Sequence, residues 1–131
     1  DEINEHLGKQ ERDLVSKIIG LSPSQLTPKL DLEFSRITLT DKNFNERLTI
    51  DANLSAKNGT SNKLFDKLII SEIKQNKYNP KSDFIRILRN LKIQEMRFSK
   101  YCMGLLHVNN NLKYNRFKPR LLQINKILTQ S

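Results

Sequence analysis

Two periodicities alternate along the chain, one typical of helices and the other typical of strands. Near the beginning, apolar side chains recur at helical spacing and Gly20 is a suitable stop for the helix. The apolar positions of this first helix are Ile3, Leu7, Leu14 and Ile18. Ser22 can cap a second, short helix that has Pro23 at its first position. From Leu30 the period changes to two, which predicts strands.

Three segments with period two place different side chains on their two faces. In residues 30–39, one face carries Leu32, Phe34, Arg36 and Thr38. In residues 47–54, one face carries Arg47, Thr49, Asp51 and Asn53, and the other carries Leu48, Ile50, Ala52 and Leu54. In residues 67–75, one face carries Ile70, Glu72 and Lys74. The Asn58-Gly59 pair predicts a turn or loop between the second and third segments.

The last third of the chain predicts two helices with a strand between them. Residues 79–82 begin a helix whose apolar stripe is Phe84, Ile87, Leu88 and Leu91. Residues 98–108 are rich in apolar side chains and predict a fourth strand. The final helix has an apolar stripe of Phe117, Leu121, Ile124 and Leu128.

The charged faces of the predicted strands suggest a barrel with a charged interior. These faces carry Arg36, Arg47, Asp51, Glu72 and Lys74. The helices could cover the opposite, apolar faces. Closing such a barrel takes about eight strands, whereas the pattern predicts only four or five. The expected fold class is therefore α+β, with an antiparallel sheet that forms about half of a barrel and helices packed outside it.

Charge narrows the candidate partners to polyanions. The 131 residues include 23 Lys and Arg against 14 Asp and Glu, a formal net charge of +9. Such an excess attracts nucleic acid, anionic membranes or polyphosphate, and charge alone does not choose among them. No window approaches the roughly 18 apolar residues that span a bilayer, so no membrane insertion is expected.

The first residues and the single cysteine indicate the cellular compartment and whether the chain is a fragment. A polar, acidic beginning argues against a secretory signal, and a start at Asp1 instead of Met indicates a trimmed or partial chain. Cys102 is the only cysteine, which rules out an intrachain disulfide and a zinc site built from cysteines. A reducing, cytoplasmic compartment is expected.

Several short segments, in their order along the chain, resemble the C-terminal half of the vacuolar transporter chaperone (VTC) domain of polyphosphate polymerases. The likeness runs from Leu26 to about Leu128. It is carried by Phe34-Ser35-Arg36, Glu46-Arg47-Leu48-Thr49-Ile50-Asp51, Ser71-Glu72-Ile73-Lys74, Phe98-Ser99-Lys100-Tyr101 and Asn115-Arg116-Phe117-Lys118. Residues 1–25 are then a separate N-terminal helical segment, and residues 26–131 are the VTC-like part.

The resemblance implies a triphosphate tunnel, which is an antiparallel barrel around a basic channel where a divalent metal helps to hold the triphosphate of ATP. In active members the terminal phosphate is transferred to a growing polyphosphate chain. The residues that would contact phosphate are Arg36, Arg47, Lys74, Ser99 and Lys100, and Lys100 would also act in catalysis. Glu72 would bind the metal, Mn²⁺ or Mg²⁺. The chemistry is reasonable, since phosphoryl transfer needs chiefly alignment and charge stabilisation.

Two departures from the family pattern affect this expectation. Phe34 stands where the family has tyrosine, so a hydroxyl contact is lost. No segment resembling the first half of the family domain precedes Leu26. The missing N-terminal half, or a second copy of the chain, would have to complete the tunnel, and the chain alone would be inactive.

Simpler structural roles remain open for the same residues. The two arginines could lie on an ordinary solvated sheet face, and Asp51 could be a salt-bridge partner of Arg47. Glu72 and Lys74 could be a surface pair. Cys102 is expected to be a small buried side chain, and His6 and His107 are expected to be structural or exposed.

The leading hypothesis is a metal-dependent polyphosphate polymerase that uses ATP. The alternatives are a module that binds polyphosphate or triphosphate without turnover, and a triphosphate hydrolase. Residues 113–120 interleave aromatic and basic side chains, a pattern that can bind single-stranded nucleic acid by stacking and phosphate contacts. A basic helix start with Phe117 packed inward is the preferred explanation of that segment, so nucleic acid is the least favoured partner.

Overall fold

The structure, a computed structural model, describes residues 7–109 and 111–129. The helices are α1 (Lys9–Ile19), α2 (Asp83–Asn90), α3 (Lys100–Val108) and α4 (Lys118–Thr129), with short 3₁₀ turns at Pro23–Gln25 and Asn115–Phe117. The strands are β1 (Asp31–Thr40), β2 (Glu46–Asn58), β3 (Ser61–Phe65) and β4 (Ile70–Gln75). Ile3 and His6, named in the sequence analysis, lie outside the described residues.

The four strands form one open antiparallel sheet organised around β2. β1 pairs with β2 along one side, while β4 and β3 pair with the first and second halves of its other side. Thirteen residues long, β2 can accommodate both short strands end to end. The prediction of an α+β fold with a partial, barrel-like antiparallel sheet is confirmed.

The loop between β1 and β2 fixes the register of the sheet. The Asp41 carboxylate accepts a hydrogen bond from the Glu46 backbone N–H at 2.8 Å, and the Asp41 N–H donates to the Glu46 carbonyl at 3.1 Å. Continuing that pairing along the strands places Arg36 directly opposite Asp51. Because directly opposed residues project to the same face, this loop decides which side chains meet.

A bulge at Asn53 changes the face to which the rest of β2 points. Asn53 has a positive φ of 54°. Glu33 pairs with Ser55 and Ser35 with Ala52, so a step of two residues along β1 matches a step of three along β2. Leu54 therefore does not share the face of Leu48 and Ile50, as strict alternation predicted. It projects to the face of Asp51, where its exposure is 0%.

The hydrophobic core lies on this same face, at the far end of β2. Its buried members are Leu54, Ala56, Phe65, Leu68, Met103 and Ile124. Gly104 of α3 is seated against Ala56, so α3 packs directly on the sheet. One face of the sheet is thus apolar under α3 and charged beyond it, and α3 packs on the same face as the charged residues.

The prediction of a strand over residues 98–108 is wrong, because this segment forms α3. Ser99 caps the helix by accepting a hydrogen bond from the Cys102 backbone N–H at 3.3 Å. The actual additional strand is β3, which the sequence analysis did not identify. The third predicted strand, residues 67–75, is confirmed in shorter form as β4.

The opposite face of the sheet leaves apolar side chains exposed. Ile37 is 60% exposed and Leu39 is 43% exposed. In the part of the chain that the structure describes, no helix has both the length and the apolar character needed to cross a bilayer.

Gly104→Ala should destabilise the fold, although alanine favours helices. A Cβ there would lie 2.8 Å from the Cβ of Ala56 and 3.0 Å from a Leu30 methyl carbon. α3 would have to move away from the sheet, at a cost of about 1–3 kcal/mol in the free energy of unfolding. Urea denaturation measures the change. A variant at least as stable as the wild type would contradict this packing.

Candidate functional site

The register of β1, β2 and β4 assembles a three-by-three grid of side chains on one face of the sheet. We call this grid the charged face; its rows are Arg36, Asp51 and Ile70; Thr38, Thr49 and Glu72; and Thr40, Arg47 and Lys74. Five of these positions are the charged residues that the sequence placed together. The structure brings them onto adjoining positions of one surface.

The Asp51 carboxylate is the centre of the ionic contacts on this face. Arg36 donates to it twice, from Nε to Oδ1 at 2.6 Å and from Nη2 to Oδ2 at 2.9 Å. Lys100, the first residue of α3, places its Nζ 2.5 Å from Oδ2. The Asp51 side chain is 1% exposed, whereas those of Arg36 and Lys100 are 41% and 18% exposed. The buried Asp51 carboxylate thus holds two partly exposed cations in place.

Phe34 supports the same two cations from one side. Its ring centroid lies 5.0 Å from Cζ of Arg36 and 5.0 Å from Nζ of Lys100. Cations at this distance from an aromatic face are attracted by its negative quadrupole. Phe34 therefore still contributes to the site, even though it lacks the hydroxyl of the tyrosine expected there.

These contacts shift the ionisation of both partners. The hydrogen bonds from Arg36, together with the contact from Lys100, lower the pKa of Asp51 to about 2, against the opposing effect of burial. The hydrogen bond to Asp51 likewise raises the pKa of Arg36 above its ordinary value. Asp51 is ionised at any physiological pH. The partner expected for Asp51 was Arg47; the structure instead pairs it with Arg36 and Lys100, because these lie across the strand and at the start of α3.

Arg47 and Lys74 face each other across β2 and β4 at the other edge of the grid. Arg47 is exposed and, within residues 7–109 and 111–129, forms no salt bridge. Nζ of Lys74 lies 3.4 Å from Oε1 of Glu72, and both side chains are about half exposed. Exposed pairs of this kind contribute roughly 0–1 kcal/mol, so a phosphate could displace this one easily.

A divalent metal would find one accessible carboxylate here. Among the described residues, no three His, Cys, Asp or Glu side chains cluster as metal ligands would. Asp51 is buried under two cations, which leaves Glu72 as the accessible carboxylate on the charged face. Mg²⁺ and Mn²⁺ accept oxygen ligands and often bind through one or two carboxylates together with substrate phosphates. The donor set therefore fits a metal that is bound jointly with a phosphate chain.

Four of the six predicted site residues, Arg36, Arg47, Glu72 and Lys74, lie on the charged face, and a fifth, Lys100, reaches it from α3 through its contact with Asp51. Ser99 is adjacent, with its hydroxyl capping α3. Sequence reasoning missed the bridging role of Asp51 and singled out no role for Thr49. The signal for the Arg36–Asp51 pair is the loop between β1 and β2. Recognising that Asp41 pairs with Glu46 sets the register and places Arg36 opposite Asp51.

Comparison with known protein families places the chain beside a described family. The model of the family described as the VTC domain matches residues 2–109, which covers α1, the whole sheet, α2 and α3. Searches of curated proteins and of solved structures gave no significant match.

Asp51→Asn should destabilise the chain at neutral pH by about 2 kcal/mol, the stabilisation that corresponds to a pKa lowered from 3.8 to about 2. Because the folded pKa is depressed, this stabilisation is complete above about pH 4 and is lost as the pH falls through about 2. The difference in unfolding free energy between wild type and variant should therefore shrink over that range. Urea titrations at pH 7, 4 and 3 measure it.

Asp83→Asn is the matched control. Asp83 also pairs with an arginine, but its side chain is 82% exposed, so its loss should change stability little. Equal effects of the two substitutions would show that the Asp51 contacts are no stronger than a surface ion pair.

Proposed function

The chain belongs to the VTC-domain family, and we propose that its charged face forms part of the wall of a tunnel that holds the triphosphate of ATP and a growing polyphosphate chain. The observation that carries the proposal is the gathering of Arg36, Arg47, Lys74 and Lys100 onto one surface with only two carboxylates among them. Four cations against two carboxylates leave this surface with a net positive charge, and the cations are spaced across the grid. This arrangement favours a linear polyanion as the ligand.

The cations differ in what they can offer to phosphate. Arg36 already uses the Nε–H and one Nη2–H on Asp51, which leaves the two N–H groups of Nη1 and the second N–H of Nη2 for a ligand. Arg47, which forms no salt bridge among the described residues, can offer its guanidinium for a bidentate contact with phosphate oxygens. Lys74 and Lys100 supply compact charges. A phosphate chain lying across the grid would meet Lys100 and Arg36 at one edge, then Arg47 and Lys74 at the other.

Metal binding belongs to the same proposal. Glu72 adjoins the cations on the grid and would hold Mg²⁺ or Mn²⁺ together with phosphate oxygens. The metal would neutralise charge on the phosphates when bound. The residues of this chain would orient the phosphates and stabilise their charge, and Lys100 would lie beside the phosphate that is transferred. A cytoplasmic location, where ATP is available, completes this hypothesis.

Binding without turnover is the second candidate function. It is favoured by the contact between Lys100, the proposed catalytic side chain, and Asp51. A lysine held by a carboxylate can still contact a bound anion, but it is less free to follow a migrating phosphate. Formation of long polyphosphate from ATP, assayed by gel, distinguishes polymerisation from binding alone, and phosphate release from tripolyphosphate reveals a hydrolase.

Lys100→Ala should weaken the binding of tripolyphosphate by about tenfold or more, the worth of a charge-assisted hydrogen bond. Isothermal titration calorimetry measures the dissociation constant. Lys126→Ala is the control, because it removes the same charge from an exposed position on α4. Equal losses in the two variants would mean that tripolyphosphate responds to net charge and not to the charged face.

The same titration, carried out with and without Mn²⁺ on Glu72→Gln, tests metal binding. If Glu72 binds the metal, Mn²⁺ should tighten binding of tripolyphosphate to the wild type but not to this variant, whose metal-free binding should be unchanged or tighter because a negative charge is gone. Glu33→Gln, an exposed carboxylate paired opposite Ser55 on the other face, should retain the Mn²⁺ effect. An Mn²⁺ effect that persists in Glu72→Gln would reject Glu72 as the metal ligand.

A further inference from the structure

The hydroxyl group of Thr49 is buried and has no hydrogen-bond partner. The residue is 7% exposed, and its Oγ1 is the one buried side-chain polar atom in the described residues for which no partner is found. Buried hydroxyl groups are almost always hydrogen-bonded, because leaving water without a new partner is unfavourable. An orphaned hydroxyl in a folded protein therefore requires an explanation.

Thr49 occupies the central position of the charged face. It lies between Arg47 and Asp51 along β2, opposite Thr38 on β1 and Glu72 on β4. The cations proposed to contact phosphate thus surround it, and the proposed metal ligand is its direct cross-strand neighbour. A ligand that spans the grid from Lys100 to Lys74 has to pass over this residue.

We propose that Thr49 is a further phosphate-binding residue, whose hydroxyl donates a hydrogen bond to a non-bridging oxygen of the bound phosphate chain. The proposal rests on the proposed function, since it takes the same ligand on the same face. A hydroxyl is suited to this position because it adds a directional donor without another positive charge beside Arg47 and Lys74.

Access to the hydroxyl requires the neighbouring side chains to move. Arg47 and Glu72, its neighbours along and across the strands, are long and exposed, so their rotamers can change without disturbing the core. Both are also expected to turn toward a bound phosphate or metal. Ligand binding would then uncover and satisfy the hydroxyl in one step, and the free protein keeps it unsatisfied.

Thr49→Val tests the assignment, because valine keeps the shape of threonine and removes only the hydroxyl. Tripolyphosphate should bind this variant about tenfold more weakly than the wild type, or weaker still, in line with the loss of one hydrogen bond to a charged group. The melting temperature without ligand should stay the same or rise, since no hydrogen bond is lost on substitution. Thr49→Ser, which retains the hydroxyl, should restore most of the binding.

Thr38→Val is the matched control, because Thr38 is the exposed threonine directly opposite on the same face. It should alter binding less than Thr49→Val does. Wild-type affinity in Thr49→Val, or a melting temperature lowered by several degrees, would overturn the assignment and identify Thr49 as a structural residue. If Lys100→Ala weakens binding while Thr49→Val does not, only this inference fails; if the wild type does not bind tripolyphosphate, the proposed function fails with it.

Discussion

The ionic contact among Arg36, Asp51 and Lys100 is the interaction on which the candidate site depends. Arg36 and Lys100 carry like charges and would repel each other. The buried Asp51 carboxylate lies between them and binds both at hydrogen-bonding distance. It also joins parts that are distant in sequence, since Arg36 belongs to β1, Asp51 to β2 and Lys100 to α3. The same contact therefore stabilises the packing of α3 on the sheet and sets the geometry of the charged face.

The position of α3 explains how one face of a small sheet can serve two purposes. The bulge at Asn53 turns the second half of β2 so that Leu54 and Ala56 point to the same side as Asp51. α3 covers the apolar part, and its first residue reaches the border with the charged part. A core and a charged surface are thus adjacent without an intervening loop. Gly104 permits this close approach because a larger side chain would collide with Ala56.

Sequence reasoning predicted the charged face well because strand alternation is a local property: Arg47, Asp51, Glu72 and Lys74 could be placed from period two alone. It failed where tertiary contacts decide. The apolar run over residues 98–108 has no clear period. A helix is favoured there because Ser99 caps its beginning and Gly104 allows it to pack closely against the sheet. β3 was missed because Ser61–Phe65 is short and mostly polar. The partners of Asp51 depended on a register that only the closed Asp41–Glu46 loop sets.

The most direct test of the charged face as a phosphate-binding surface is NMR mapping of tripolyphosphate on the isotopically labelled chain. If the charged face binds phosphate, the shifts should be concentrated at the Arg36 and Arg47 side-chain Nε–H groups, at the backbone around Thr49 and at Lys100 near the start of α3. Shifts concentrated instead in residues 113–120, with the charged face unperturbed, would contradict it. That result would place the polyanion on the basic segment that leads into α4 and favour nucleic acid as the natural partner.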